Sequence, residues 1–166
     1  EIPLIQRFIL FLGHPIYALS VILFSLLVFG GIGASLTARW VPERAARAAA
    51  AAAGILVVLL LFYILPLPAL LARLIGLEPA ARVAVAAGLL LPIGLVMGMP
   101  FPLGLKIANV RSAEIIPWLW AANGATSVLA SVLAIAIAIT SGFSAVMFIA
   151  LGMYALAALI AVGLAR

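Results

Sequence analysis

Residues 118–165 read WLWAANGATSVLASVLAIAIAIT, then SG, then FSAVMFIALGMYALAALIAVGLA, and they contain no charged side chain. Each of the two apolar runs is long enough to cross a bilayer, since a helix needs about 20 apolar residues to span the hydrocarbon core. The Ser141-Gly142 pair between them fits a tight connection. This stretch therefore predicts two membrane-spanning helices joined by a short turn.

The same pattern extends over the rest of the chain. Of the 166 residues, 69% are hydrophobic and 8% are charged, whereas a soluble domain is about 45–50% apolar and about 25% charged. Backbone groups in lipid need internal partners, and the apolar runs do not alternate as strands would, so the spans are read as helices. We predict an all-α polytopic membrane bundle, one domain over residues 1–166, with five full spans and a partial first span. The predicted segments are 2–12 (partial), 16–36, 48–71, 83–105, 118–140 and 143–165.

Basic side chains are divided unevenly between the two ends of these spans. One end holds Arg39, Arg44, Arg47, Lys106, Arg111 and Arg166, and the other holds Arg73 and Arg82. The positive-inside rule then predicts a cytoplasmic C-terminus. Because the basic residues lie mostly at span ends and do not cluster with aromatic residues, nucleic-acid binding is not expected.

Prolines interrupt the fourth predicted span. Pro100 and Pro102 both lack an amide donor and both disfavour a regular helix. One interpretation is a kink that serves packing alone. The other is a broken helix that lines a substrate cavity, as in many transporters.

The fifth predicted span carries a stripe of polar and small residues. Asn123, Ser127 and Ser131 recur every four residues and share one helix face, with Gly124 beside them. The stripe is interpreted either as a helix-packing surface or, at Asn123, as an amide that contacts a ligand. In the second span, Gly30 and Ala34 form another small-residue pair that predicts helix packing.

Polar and ionisable residues near the N-terminus are further candidates for a cavity or a polar contact. Gln6 and Arg7 lie within the first apolar segment, where a charge is costly and needs a partner. His14, the single histidine, is interpreted as a hydrogen-bonded turn residue or a weak pH sensor. No metal site is predicted, because the sequence offers no further ligands beside this histidine and contains no cysteine.

Three blocks of sequence resemble a known family. They are EIPLIQRF with LGHP near the N-terminus, GMPFPLGL at residues 98–105, and PWLWAANGATSVL at residues 117–129. In this order they resemble the membrane domain of bacterial membrane-bound spermidine synthase-like proteins, also described as fused transporter/spermidine synthase. The resemblance implies a bacterial inner-membrane location and a fused or associated soluble Rossmann domain. It also implies that the chain is a fragment or a stand-alone relative of the membrane part.

The residues themselves predict no enzyme. The four acids are Glu1, Glu43, Glu78 and Glu114, and they form no pair suited to acid–base chemistry. We therefore expect a non-catalytic membrane subunit or domain, either a scaffold within a larger membrane complex or the anchor of a spermidine synthase-like enzyme. The alternative is a transporter-like module that binds a small solute such as a polyamine. No cofactor is predicted, although a bound lipid is compatible with the chain, and the expected partners are the lipid bilayer and other membrane subunits.

Overall fold

The computed structural model describes residues 2–165, apart from the side chain of Arg111. Within that range the chain is almost entirely helical and contains no β-strand. Short 3₁₀ segments follow the second and sixth helices, at Thr37–Arg39 and Ala113–Ile115. The α-helices are α1 (Ile2–Leu12), α2 (Pro15–Leu36), α3 (Pro42–Ile64), α4 (Leu67–Leu74), α5 (Pro79–Met97), α6 (Pro100–Arg111), α7 (Ile116–Ser141) and α8 (Phe143–Leu164).

Five helical stretches within residues 2–165 are long and apolar enough to cross a bilayer. They are Pro15–Arg39, Pro42–Ile64, Pro79–Val110, Ala113–Ser141 and Phe143–Leu164. The short apolar helix α1 precedes them. These findings confirm the predicted all-α fold class, with five full spans and a partial first one, and they agree with an integral membrane protein.

The third span differs from its predicted limits of 48–71. Its helix α3 begins earlier, at Pro42, because the extended conformation of Val41 places the proline at the first helical position. It ends at Ile64, and residues 67–74 form the separate helix α4. Pro66 and Pro68 explain this break, since neither can donate a helical hydrogen bond.

Helix α1 packs into the apolar core of the bundle. The side chains of Phe8 and Phe11 are fully or almost fully buried, and their rings meet edge to face at 6.5 Å. They belong to one apolar core with residues of α2, α3, α4, α5 and α8. The chain then reverses at Gly13, whose φ of 79° favours glycine, and α2 starts at Pro15. The half-span is therefore part of the packed core of the bundle.

The backbones of α2 and α5 come into direct contact at two glycines. A Cβ atom on Gly33 would lie 1.8 Å from the carbonyl oxygen of Leu95, and one on Gly98 would lie 1.9 Å from that of Gly30. Only hydrogen fits at these two positions. Such glycine contacts let membrane helices approach closely and gain van der Waals energy in the absence of a strong hydrophobic driving force.

This contact makes a testable prediction. Gly98→Ala should lower the free energy of unfolding by about 1–3 kcal/mol, because the added methyl group meets a backbone carbonyl that cannot rotate away. Gly31→Ala is the matched control, since a Cβ atom there meets nothing within 4 Å. Unfolding in mixed micelles, followed by tryptophan fluorescence, measures both variants. Equal stability of the two would contradict this view of the α2–α5 contact.

Candidate functional site

Arg7 lies against the end of the interrupted third span. Its Nη1 donates to the carbonyl oxygens of Tyr63 and, at 3.3 Å, Ile64, the last two residues of α3. Pro68 has no N–H to offer the Ile64 carbonyl, so the break itself creates the need for another donor. A carbonyl without a partner in lipid costs several kcal/mol. Arg7 thus supplies from α1 the donor that Pro68 cannot give to the Ile64 carbonyl, and it also binds the Tyr63 carbonyl.

Tyr63 adds a second polar contact at the same place. Its side chain is fully buried, and its hydroxyl donates to the carbonyl oxygen of Leu89 in α5. Leu89 lies one turn before Pro92, the proline inside α5. The end of α3 is therefore linked to α1 through its carbonyl groups and to α5 through the side chain of Tyr63.

Two more cations bind helix ends in the same way. Arg82 donates from Nε to Leu77 at 2.7 Å and from Nη1 to Phe11 at 3.3 Å, near the end of α1. Lys106 donates to the carbonyls of Thr37, Ala38 and Trp40, where α2 gives way to its 3₁₀ extension. The C-terminal end of a helix carries partial negative charge, so a cation is favoured there.

The proline break between α5 and α6 is a mild interruption. Gly98 and Met99 keep helical backbone angles, and Gly98 still donates to Gly94 at 3.2 Å. Pro100 and Pro102 are half-buried in the first turn of α6. A proline in this position leaves a helix intact, because the first amides have no helical partner in any case.

A cavity of about 150 Å³ lies just before this interruption. Ile93 and Met97 of α5 line it, together with residues of α1, α3 and α8. Its other lining residues are Pro3, Leu4, Leu56, Leu60, Val146, Met147, Ala150 and Tyr154. Among the described residues that line the cavity, Tyr154 alone has a polar side chain and the others are apolar.

The polar stripe of α7 is exposed along its whole length. Ser127 and Ser131 donate back to the carbonyls of Asn123 and Ser127, at 2.7 and 2.9 Å. Gly124 is also exposed, and a Cβ atom there would meet nothing within 4 Å. No group in the described part of the chain lies within hydrogen-bond distance of the Asn123 side-chain amide. The hydroxyl groups are thus satisfied within the helix, whereas the amide is left for a neighbour.

Helix α7 touches the rest of the bundle chiefly at its two ends. At one end Trp120 meets Phe101 edge to face, with ring centroids 4.8 Å apart, and at the other Ala138 is buried. Every residue from 121 to 133 is exposed. At about 100° per residue, Asn123 and Ser127 lie within about 60° of Ala138 around the helix axis. The stripe therefore faces the side on which α7 contacts the bundle, but nothing among residues 2–165 covers it.

The remaining predicted residues lie apart from one another. Gln6 is exposed, and His14 is exposed in the α1–α2 turn, where its ring meets that of Tyr17 at 5.4 Å. Gly30 lies at the α2–α5 contact, and Ala34 is half-buried one turn later. Among the described residues, neither the cavity beside Ile93 nor a groove between α1 and α4 brings Gln6 or Arg7 together with the proline break and Asn123. No group of three or more potential metal ligands occurs within the described residues.

Sequence reasoning missed the roles of Tyr63, Arg82 and Lys106. A usable signal was present, because each proline or turn that ends a helix frees carbonyl groups that need a donor. The sequence does not show which distant cation supplies it. Arg82 and Lys106 reach carbonyls about 70 residues away, as the separations of 71 and 69 residues show.

No protein-family model, curated protein or solved structure matches the chain. The resemblance to membrane-bound spermidine synthase-like proteins therefore stays a prediction from the three sequence blocks.

The contact between Arg7 and α3 can be tested by substitution. Arg7→Met should lower the free energy of unfolding by about 1–3 kcal/mol, because it leaves buried carbonyl groups without a donor. Gln6→Met is the matched control, since Gln6 is the exposed neighbour of Arg7. Unfolding in mixed micelles measures both. If Arg7→Met is no less stable than Gln6→Met, the helix-capping role is wrong.

Proposed function

We propose that this chain is a non-catalytic membrane scaffold that assembles with further membrane helices through the exposed face of α7. The face consists of Asn123, Ser127 and Ser131 with the small residue Gly124. Small residues allow close approach between membrane helices, and an amide can form a hydrogen bond across the interface. The scaffold would serve a larger membrane complex or anchor a soluble enzyme domain.

The proposal is supported mainly by the exposure of α7 compared with the other spans. The most apolar window of the Ala113–Ser141 span has none of its residues buried, whereas 28% are buried in both Pro15–Arg39 and Pro42–Ile64. A helix with only lipid neighbours has no need of an amide within its apolar span, since a polar group in hydrocarbon is costly. The unpartnered Asn123 therefore favours a protein neighbour.

The transporter-like alternative receives weaker support. The cavity before the proline interruption is lined by apolar side chains and Tyr154. A polyamine carries several positive charges, and its binding calls for carboxylates or an aromatic cage. The lining of this cavity suits an apolar molecule or an acyl chain better than a polycation.

The orientation of the scaffold follows from its charges. We assign the end of the bundle with Arg39, Arg44, Arg47 and Lys106 to the cytoplasm of a bacterial inner membrane, by the positive-inside rule. The C-terminus, which follows α8, then lies on the same side. A soluble partner domain would be held there.

Cysteine crosslinking tests the scaffold directly, because the chain contains no cysteine of its own. Ser127→Cys and Ser131→Cys, each labelled with a photoactivatable maleimide in native membranes, should form adducts with a foreign membrane protein. Leu129→Cys is the control at the same depth, since it lies about 200° from Ser127 around the helix. It should react mainly with lipid. Mass spectrometry of the adducts gives the readout.

Three outcomes would contradict the scaffold. They are adducts of the stripe positions with lipid alone, adducts with α3 or α8 of the same chain, and equal protein adducts from Leu129→Cys. The second would mean that α7 closes onto its own bundle.

A second prediction concerns Asn123 itself. Asn123→Ala should weaken association with the crosslinked partner by about 3- to 30-fold, the equivalent of about 0.6–2 kcal/mol for one hydrogen bond between membrane helices. Titration of the purified proteins in mixed micelles measures this change. Unchanged affinity would exclude the amide from the interface.

A further inference from the structure

Arg7 has donors that its helix-capping role does not use. Both of its hydrogen bonds come from Nη1. Across residues 2–165, no acceptor lies within hydrogen-bond distance of Nε or Nη2, and no carboxylate lies within 4.0 Å of the guanidinium. The side chain is only partly buried. Among the described residues, Nε and Nη2 of this partly exposed arginine therefore have no acceptor.

Arg7 also lines a groove between α1 and α4. The groove has a volume of about 260 Å³, and Arg7 is the one charged residue among the described residues that line it. The other lining side chains are apolar and include Leu10, Phe11, Leu71 and Ala72. Leu10 is 78% exposed, so the groove faces the surroundings of the bundle. One cation thus lies beside an apolar groove that opens to the outside of the bundle.

The depth of Arg7 suits the region just below a lipid headgroup. Arg7 lies six residues before Gly13, which is about 9 Å along a helix with a rise of about 1.5 Å per residue. Its guanidinium is held at that depth by the Tyr63 and Ile64 carbonyls, at the break between α3 and α4. Arg82 binds the Phe11 carbonyl at the same end of α1, which adds a second positive charge near the groove.

We propose that the α1–α4 groove binds one anionic phospholipid. The phosphate accepts hydrogen bonds from Nε and Nη2 of Arg7, and an acyl chain lies along Leu10, Phe11, Leu71 and Ala72. The groove matches both the headgroup and the acyl chain of such a lipid. Arginine pairs readily with phosphate oxygens, and the apolar wall suits hydrocarbon. This site is distinct from the α7 face and does not depend on the proposed scaffold function.

The experiment counts lipids that stay bound to the purified full chain in native mass spectrometry. The chain is reconstituted in nanodiscs of equal parts phosphatidylglycerol and phosphatidylcholine, then released. Wild type should retain one phosphatidylglycerol, with a preference of about fivefold over phosphatidylcholine, as expected for one arginine near an anionic headgroup. Millimolar inorganic phosphate should not displace it, because free phosphate lacks the acyl chain.

Two variants separate the groove from the capping contact. Ala72→Trp fills the groove from α4 and leaves Arg7 in place, so phosphatidylglycerol retention should be lost while unfolding stability stays close to that of wild type. Ala69→Trp is the control, since Ala69 is also exposed on α4 but does not line the groove. Arg7→Lys should retain the lipid with a reduced preference, because the charge remains but the planar donor set does not.

Any of three results would overturn the proposal. The first is equal retention of the two lipids by wild type, and the second is unchanged retention in Ala72→Trp. The third is full displacement by inorganic phosphate, which would indicate a site for the free anion alone.

Discussion

The structure depends on one constraint, that backbone carbonyls freed at helix ends need donors which lipid cannot provide. Pro66 and Pro68 interrupt the third span, and the carbonyls at its end accept hydrogen bonds from Arg7. Arg82 and Lys106 perform the same service near the ends of α1 and α2. Each contact joins segments that are distant in sequence. Arg7, Arg82 and Lys106 therefore act as cross-links between helices.

Two glycines allow α2 and α5 to pack closely. At Gly33 and Gly98 the α2 and α5 backbones meet so closely that a methyl group does not fit. Together with the core around Phe8 and Phe11, this contact organises α1–α5 and α8 into one packed body. Helix α7 is the exception, since it contacts that body at its ends and leaves Asn123 without a partner in the described chain. That contrast between packed and exposed spans underlies the proposed scaffold function.

Sequence reasoning predicted the parts of the structure that follow from local composition. Apolar runs of suitable length predicted the five spans, and Pro100 and Pro102 predicted the interruption at Gly98 and Met99. The end of α3 was misplaced, because helix continuation past Pro66 and Pro68 depends on whether a distant donor stabilises the break. The partners of Arg7 and Lys106 were also beyond reach, since hydropathy and periodicity describe one helix at a time. The exposure of α7 likewise depends on tertiary packing. Its polar stripe predicted only that these residues share one helix face.

A thermodynamic cycle between Arg7→Met and the combined change Pro66→Ala with Pro68→Ala tests whether Arg7 stabilises the break in α3. With Pro66→Ala and Pro68→Ala, the chain regains the N–H groups that a continuous helix would offer to the carbonyls of Phe62 and Ile64. We expect Arg7→Met then to cost less unfolding free energy than in the wild-type background, with a coupling of about 0.5–3 kcal/mol, because the restored amide of residue 68 serves the Ile64 carbonyl. Strictly additive costs would contradict it, because Arg7 would then stabilise the bundle for a reason unrelated to the break in α3.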